Sequence, residues 1–368
     1  MTTNGSPRRT PLYPIHVKLG ARIIDFHGWE MPVQYSGIRE EHFAVREKAG
    51  IFDVCHMGTV GIKGKNALKM VQKVYTGDAS PMREGDIHYG LLCNENGGII
   101  DDVTLFKVSE ENYFFCVNAS NVSKDYEWLK SAIGNDAEVI NESETGGIIA
   151  LQGPLADDIL SGVSEGIDLK SIKTFKFDYG RVAGVNAIIS RTGYTGERGF
   201  EFFFEREKAL LIWEEIFKAG VGMGLKPAGL GARDTLRLEM KYTLYGNDIG
   251  DSVSPLEACL ERYISFDKGD FIGHDALLKE KESGSKRRLA GFRMIDLGIP
   301  RQGFEIMIDG MVIGYVTSGG HSFSTENNIG MALVDTKHSV VGTQFFVSVR
   351  GKELKAEVVE TPFYKRKK

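Results

Sequence analysis

The C-terminal part of the sequence places the strongest constraint on the fold. From Arg287 onwards, short apolar stretches with the two-residue period of β-strands alternate with turn residues. They include RRLAGFRMIDL, EIMIDGMVIGYVTSG, IGMALVD and TQFFVSVRGKELKAEVVE. Asp309-Gly310 is a two-residue hairpin signal, and Arg350-Gly351-Lys352 supplies another turn. The pattern predicts a small antiparallel barrel or jelly-roll-like domain, with its boundary in the polar stretch KEKESGSKRR, near residues 283 to 288.

The preceding part of the chain mixes helices with strands. A helical period near residues 38 to 49 ends before Gly50, which we expect at the C-cap, and further helices are expected near 66–75, 121–133 and 206–219. The stretch YGLLCNENGGIIDDVTLFKVSEENYFFCVNAS is typical of an antiparallel meander with turns at NENGG and SEEN. The predicted fold class is therefore α+β with an all-β C-terminal domain.

Length and charge exclude several classes of function. The 368 residues are enough for two or three domains, and 45 basic against 50 acidic residues argue against a nucleic-acid-binding surface as the main function. No apolar run approaches the length that crosses a bilayer, and the N-terminus lacks the apolar stretch of a secretory signal. We expect a soluble protein of a reducing compartment with no membrane partner.

Cysteine and histidine spacing gives no metal signature. Cys55, Cys93, Cys116 and Cys259 form no C-x-x-C pair, and Cys93 and Cys116 lie in apolar stretches where buried packing is expected. The eight histidines are scattered without a ligand spacing such as H-E-x-x-H. We expect no metal cofactor.

Two adjacent acids, Asp101 and Asp102, interrupt the apolar stretch GGIIDDVTLF. Neighbouring side chains of a strand point to opposite faces, so only one of the two can face the inner side of the strand. A carboxylate in an apolar interior is costly unless it is paired or hydrogen-bonded. One interpretation is a strand-edge acid that accepts hydrogen bonds from turn amides, and the other is a functional carboxylate.

The stretch RTGYTGERGFEFFF contains a second candidate carboxylate. Gly193 and Gly196 flank Tyr194, and Glu201 lies in the aromatic strand that follows, on the same face as Phe203. Glu201 either faces solvent at a sheet edge or accepts paired N–H bonds from a flat heterocycle.

The stretch GLGARDTLRLEMKYTLYGND indicates a loop that leads into a helix. Arg233 and Asp234 are expected in its first turn, where an arginine opposes the helix dipole and so needs a partner. An ordinary salt bridge would satisfy this requirement as well as a ligand would. Taken together, the two carboxylates, the arginine and the tyrosines near glycines would fit a flat, amide-rich, anionic-tailed ligand.

A long series of strings closely resembles the T-protein family of the glycine cleavage system. In order they are TPLYPIHVKLGARIIDFHGWEMPVQY, FDVCHMG, NENGGIIDDV, VNASNVSKD, IALQGP, GYTGERGFE, PAGLGARDTLRLE, LYGNDI, FIG, VTSGGHSFS and IGMALV. The resemblance runs from Thr10 to Tyr364.

The resemblance implies a three-domain, cloverleaf-like α+β fold that binds folate in a central channel. The domains would be 1–50 plus 140–282, then 51–139, then 283–368. The implied reaction transfers the methylene carbon of the aminomethyl group on the lipoyl arm of the H-protein to tetrahydrofolate. It releases ammonia and gives 5,10-methylene-tetrahydrofolate and the dihydrolipoyl H-protein. The implied compartment is the bacterial cytoplasm, or the mitochondrial matrix in a eukaryote.

The resemblance also implies roles for individual residues. Asp102 matches the catalytic acid and becomes the inward carboxylate, with Asp101 as its structural neighbour. Glu201 matches the carboxylate that binds the pterin. The other residues implied to line the folate site are Tyr89, Asn118, Tyr194, Arg233 and Tyr242, with Tyr364 or Arg366 at the folate tail.

One residue departs from the family pattern D-V-S-H-M, because Cys55 stands where a serine is usual. We expect a modest local effect, since the size is kept and a good hydrogen-bonding group is lost. The next residue, His56, is expected to be packed and hydrogen-bonded rather than catalytic.

Three alternatives share the fold. A folate-dependent demethylase would keep the folate site and accept a methyl group from a small sulfonium or amine. A non-catalytic folate-binding protein of iron–sulfur assembly would carry K-G-C-Y-x-G-Q-E, where this chain has KYTLYGND. A folate domain fused to an amine oxidase would need a flavin domain for which the chain has no room.

Overall fold

The computed structural model describes residues 6–366. Its α-helices are α1 (Tyr13–Lys18), α2 (Ile38–Glu47), α3 (Ala67–Val74), α4 (Val122–Ile133), α5 (Ala156–Ser161), α6 (Ala209–Gly220), α7 (Leu230–Glu239) and α8 (His274–Ser283). The strands before the C-terminal domain are β1 (Arg8–Arg9), β2 (Arg22–Phe26), β3 (Trp29–Gln34), β4 (Ala49–Asp53), β5 (Gly58–Lys63), β6 (Ile87–Cys93), β7 (Ile99–Ser109), β8 (Asn112–Val117), β9 (Glu138–Asn141), β10 (Gly146–Gln152), β11 (Ser164–Glu165), β12 (Phe177–Val182), β13 (Val185–Ser190), β14 (Gly199–Glu205) and β15 (Leu225–Pro227). The C-terminal strands are β16 (Arg287–Met294), β17 (Glu305–Ile308), β18 (Met311–Ser322), β19 (Asn327–Asp335), β20 (Gln344–Val349) and β21 (Lys352–Val358).

The chain divides into two compact units, and each is built from separate segments. Of the described residues, the first unit contains those up to Val71, Ala79–His88 and Val103–Asp234. The second contains Gln72–Asp78, Tyr89–Asp102 and the described residues from Thr235 onwards. The three-domain division implied by the resemblance stays a prediction.

A seven-stranded sheet forms the framework of the first unit, with the strand order β11-β12-β13-β14-β10-β4-β15. One face of this sheet packs against α1, α5 and α6 through a cluster that includes Phe200, Phe202 and Trp213. Burying one such aromatic side chain contributes about 2 kcal/mol to folding. Because alternate residues of β14 are buried in this core, the residues between them lie on the opposite face of the strand.

The opposite face of β14 carries Glu201 and Phe203. The ring of Phe203 lies 5.0 Å from that of Phe106 and 5.7 Å from that of Phe114, and the last two rings are stacked at 4.3 Å. The predicted alternation along this strand is confirmed, since Phe200, Phe202 and Phe204 are buried in the core.

A five-stranded sheet has the order β6-β7-β8-β5-β9, and β7 pairs with β8 antiparallel as the meander predicted. Within this sheet the chain passes from the first unit to the second after His88 and returns after Asp102. The acids of the GGIIDD stretch thus belong to the second unit.

The C-terminal domain is a closed six-stranded barrel with the order β16-β19-β18-β17-β20-β21, and β16 pairs with β21 to close it. Both expected turns are confirmed. Asp309 and Gly310 have φ of 50° and 75°, and Arg350 and Gly351 have φ of 51° and 80°. These left-handed conformations match the turns that connect antiparallel strands in two residues.

The expected C-cap role of Gly50 is wrong. Helix α2 already ends at Glu47, and Gly50 lies within β4 with both neighbouring strands paired to it. A Cβ at this position would lie 2.5 Å from Cγ2 of Val45. The glycine is therefore required by close packing of the helix against the strand.

The segment 72–78 of the second unit is held by a partly buried lysine. The Lys268 ammonium group donates hydrogen bonds to the carbonyl oxygens of Gln72 and Gly77, each at 2.8 Å, and to that of Tyr75. Burial lowers the pKa of Lys268 to about 8, and Asp78 opposes this shift. The ammonium group places a positive charge at the C-terminal end of α3, where the helix dipole favours it.

Candidate functional site

A rigid turn precedes the two adjacent acids in the second unit. The Asn94 side-chain oxygen accepts hydrogen bonds from the backbone N–H groups of Asn96 and Gly98, at 2.9 and 3.1 Å. A Cβ on Gly98 would lie only 1.8 Å from the carbonyl oxygen of Asp251. The turn therefore admits only glycine at this position, and it fixes where β7 begins.

The two acids occupy opposite faces of β7, as expected, but their burial is the reverse of the expectation. Asp101 is fully buried, whereas Asp102 is partly exposed. The interpretation of Asp102 as the inward acid is wrong in this respect. Strand alternation shows that the two side chains lie on opposite faces, but it does not show which face is buried. Oδ2 of Asp102 accepts a hydrogen bond of 3.0 Å from the hydroxyl group of Tyr89.

The ring of Tyr89 is supported by Tyr263, which the sequence analysis missed. The two rings meet edge to face, with centroids 4.6 Å apart. The carbonyl group of Tyr263 accepts a hydrogen bond from Thr76 at 3.0 Å, and its hydroxyl group accepts one from Arg262 at 2.6 Å. No motif in the sequence marks this tyrosine, because its role depends on a contact between distant segments.

In the first unit, Gln152 shapes the loop that carries Tyr194. Its side-chain nitrogen donates to the carbonyl oxygens of Thr192, at 3.0 Å, and Phe200, at 3.3 Å. Its oxygen accepts a hydrogen bond from Thr195 at 2.9 Å. A Cβ on Gly193 would lie 2.0 Å from that oxygen, so the first glycine of the G-Y-T-G string is needed for this close approach.

A buried ion pair anchors the other end of this loop. Arg46 donates to Glu197 at 2.9 Å and to the carbonyl oxygen of Thr195 at 2.7 Å. The side chains of Arg46 and Glu197 are only 4% and 2% exposed. Because a buried charge that loses its partner is costly, this pair holds the loop in one conformation.

Tyr194 and Arg233 are brought together in the first unit. The Arg233 guanidinium group lies over the Tyr194 ring, 4.8 Å from its centroid, and one of its nitrogens lies 3.8 Å from Sδ of Met57. Arg233 is the fourth residue of α7, at the end of the first turn, and Asp234 follows it. Both groups are partly exposed, so a flat ligand can reach the cation–π pair.

Glu201 has one oxygen engaged and one available. Its Oε2 accepts a hydrogen bond of 2.5 Å from the hydroxyl group of Thr192, and among residues 6–366 its Oε1 has no hydrogen-bond donor. The side chain is partly exposed on the face of β14 that carries Phe203. This leaves a carboxylate oxygen ready to accept N–H bonds.

Cys55 keeps a weak hydrogen bond in place of the usual serine. Its thiol group donates to the carbonyl oxygen of Ile148 at 3.1 Å, and its backbone N–H group donates to Asp53 at 2.9 Å. Burial and the neighbouring Asp53 raise the pKa of the thiol well above its ordinary value. The thiol is therefore a packing group rather than a nucleophile.

His56 is buried as expected, but the expected hydrogen bonding is not found at its Nδ1, which has no partner among the described residues. Its ring lies edge to face with Phe26 at 5.8 Å. Burial lowers the pKa of His56 to about 4, with smaller effects of Arg233 and His27 in the same direction and of Asp53 against it. The ring is neutral at physiological pH.

Tyr242 and Tyr364 are both fixed to the end of α7. Arg237 donates to the carbonyl oxygen of Tyr242 at 3.0 Å and to the buried carboxylate of Asp248 at 2.8 Å. The backbone N–H group of Tyr364 donates to the carbonyl oxygen of Glu239 at 3.1 Å. Tyr242 and Tyr364, two of the expected folate-lining tyrosines of the second unit, thus depend on one helix end.

The remaining two candidates are Asn118 and Arg366. Asn118 directly follows β8, and its carbonyl group accepts a hydrogen bond of 2.9 Å from Asn121 at the start of α4. Arg366 is exposed near the end of the described chain. The assignment of Tyr364 or Arg366 to the ligand tail stays a prediction.

Family models match nearly the whole chain. The "GCVT N-terminal domain" matches residues 12–268, and the "Glycine cleavage T-protein C-terminal barrel domain" matches residues 287–365. In residues 6–366 no group of three or more His, Cys, Asp or Glu is placed to hold a metal ion. No helix of the same residues has the length and apolar character needed to cross a membrane.

Curated relatives and a solved structure agree with these matches. An aminomethyltransferase of Caldanaerobacter subterraneus subsp. tengcongensis is 49% identical over 98% of this chain and 96% of its own. One of Geobacillus sp. is 47% identical over 98% and 100%. The crystal structure of glycine cleavage system aminomethyltransferase T from Bartonella henselae has a TM-score of 0.92 at 32% identity, with 98% and 99% of the two chains covered.

The fold and these relatives define an enzyme of the aminomethyltransferase class. The chain belongs to the glycine cleavage T-protein family.

Proposed function

We propose that this aminomethyltransferase transfers the methylene carbon of an aminomethyl group on lipoylated H-protein to tetrahydrofolate. The products are ammonia, 5,10-methylene-tetrahydrofolate and dihydrolipoyl H-protein. The observation that carries the proposal is the half-buried Asp102 carboxylate bound by the Tyr89 hydroxyl group. The bacterial relatives favour the cytoplasm as the place of the reaction.

Asp102 acts by position and charge. The hydrogen bond from the Tyr89 phenol holds the Asp102 carboxylate in a defined position before the reaction begins. In a half-buried site the carboxylate stabilises positive charge that develops at nitrogen more strongly than it would in water. Asp102 therefore needs no strong basicity, because orientation and electrostatic stabilisation are sufficient for the step.

The first unit supplies the groups that fit a pterin. Oε1 of Glu201 can accept N–H bonds, and the Tyr194–Arg233 pair offers a flat, cationic surface. Tetrahydrofolate, when bound, supplies the amine nitrogens that accept the one-carbon unit. Asn118, Tyr242 and either Tyr364 or Arg366 complete the set of proposed binding residues.

The test is turnover with purified components. Aminomethylated H-protein and tetrahydrofolate are incubated with the enzyme, and methylene-tetrahydrofolate and ammonia are both quantified. Equal amounts of the two products support the proposal. Tetrahydrofolate binding without turnover on H-protein would contradict it and favour a demethylase acting on small methyl donors.

A further inference from the structure

We propose that the Thr192 hydroxyl group is a positioning group for the pterin of tetrahydrofolate, because it holds the Glu201 carboxylate with Oε1 free to accept N–H bonds. This inference rests on the proposed function and deepens it. Thr192 itself touches Glu201, and we assign it no contact with the ligand.

Four oxygen atoms, from Ser190, Thr192 and Glu201, connect the end of β13 with β14. The Thr192 hydroxyl group donates to Oε2 of Glu201 at 2.5 Å, and the Ser190 hydroxyl oxygen lies 2.7 Å from that of Thr192. The Ser190 hydroxyl group also reaches the carbonyl oxygen of Glu201, at 3.0 Å. Ser190 and Glu201 are direct partners across β13 and β14, so sheet register sets the arrangement.

The backbone at Thr192 is fixed independently of Glu201. Its carbonyl oxygen accepts the hydrogen bond from Gln152 described above. A β-branched side chain has few χ1 conformations, so the hydroxyl group is presented in a stable direction. The threonine is thus a rigid donor facing a flexible acceptor.

A glutamate side chain has three rotatable bonds, and a partly exposed one samples many conformations. A charge-assisted hydrogen bond to one oxygen selects among them before any ligand arrives. Binding then needs less ordering of Glu201, which is the advantage of preorganisation. Loss of the hydroxyl group should weaken affinity for tetrahydrofolate while leaving the chemical step nearly unchanged.

The experiment measures tetrahydrofolate affinity by titration calorimetry, together with kcat and KM for the full reaction. Thr192→Val removes the hydroxyl group at nearly constant volume, and Thr192→Ser restores it. We expect Thr192→Val to weaken binding about tenfold, as the loss of a hydrogen bond to a charged group does. Thr192→Ser should bind nearly as the wild type, and kcat at saturating tetrahydrofolate should change little in both variants.

A double-mutant cycle separates positioning from a general structural role. If Thr192 acts through the carboxylate, Thr192→Val should cost little further affinity in a Glu201→Gln background. Thr145→Val is the matched control, since the Thr145 hydroxyl group is exposed and donates only to the carbonyl oxygen of Glu142, at 3.1 Å. Thermal unfolding of each variant verifies that it is folded.

The outcomes are distinguishable. Unchanged affinity in Thr192→Val, or the same loss in the Glu201→Gln background, overturns the positioning role and leaves the proposed function intact. A wild-type enzyme that does not bind tetrahydrofolate overturns the proposed function itself.

Discussion

The hydroxyl group of Tyr89 donates a hydrogen bond of 3.0 Å to Oδ2 of Asp102, and both side chains are partly exposed. The strands that carry them, β6 and β7, are neighbours in one sheet, and the turn at Asn94 and Gly98 sets where the second begins. The backbone positions of these two strands therefore determine the geometry of the Tyr89–Asp102 pair.

Replacement of Asp102 by Asn should lower kcat about 100-fold, because the neutral amide cannot stabilise developing positive charge. Tetrahydrofolate affinity should change much less. Turnover on aminomethylated H-protein and binding by calorimetry measure the two effects separately. Tyr89→Phe should have a smaller effect on kcat, about tenfold, and Tyr179→Phe, at a side chain that is 54% exposed, is the control. Wild-type turnover by Asp102→Asn would exclude a catalytic role for this acid.

Arg233→Lys keeps the positive charge but loses the planar guanidinium group over the Tyr194 ring. We expect tetrahydrofolate binding to weaken by about fivefold, in line with the energy of a partly exposed cation–π pair. Tyr194→Phe should retain most of the affinity because the ring face is kept, whereas Tyr194→Ala should not. Equal losses in the last two variants would show that the hydroxyl group, and not the ring, is what matters.

His56 should make the folded protein less stable in acid. Its pKa in the folded state is about 4, against 6.5 for an ordinary histidine, so the unfolded chain binds the proton first as pH falls. The stability from this residue is complete above pH 6.5 and is lost progressively down to pH 4. The whole loss is bounded at about 3 kcal/mol.

Urea unfolding of the wild type and of His56→Phe between pH 4 and pH 7.5 measures this effect. The free-energy difference between the two proteins should shift against the wild type as pH falls through the window. A difference that stays constant with pH would mean that His56 does not titrate as described.

Gly50→Ala should destabilise the protein by about 1–3 kcal/mol, because the added Cβ would meet the Val45 side chain at 2.5 Å. Gly222→Ala is the matched control, since a Cβ added there would have no neighbouring atom within 4 Å and the φ of Gly222 is ordinary. The control should be neutral or slightly stabilising. Chemical denaturation of both variants gives the comparison, and equal stabilities would show that α2 shifts away from the strand at little cost.

Local signals in the sequence predicted the elements that depend on local geometry. The hairpin at Asp309-Gly310 needs only two residues with positive φ, and the alternation of Phe200 to Phe204 needs only the period of a strand. For Gly50, the local signal predicted the wrong role. A glycine after a helical period is common at C-caps, yet this one is required by contact with a neighbouring side chain.

For the same reason, only part of the candidate site could be predicted from the sequence. Alternation separates Asp101 from Asp102 but cannot say which face the fold covers, and Tyr263 and Thr192 carry no periodic signal. Their contacts depend on which strands become neighbours, and that follows from packing of the whole unit.

The segmented construction of the second unit has a consequence for biosynthesis. Asp102 leaves the ribosome on the order of ten seconds before Thr235, where the rest of its unit begins, at ordinary rates of translation. During that interval Ile99 lacks its eventual apolar neighbours Ile249, Ala258 and Phe271, all of which come later in the chain. The catalytic candidate is thus completed only after most of the protein has been made, and a nascent chain that stops early carries an exposed apolar strand for chaperones to protect.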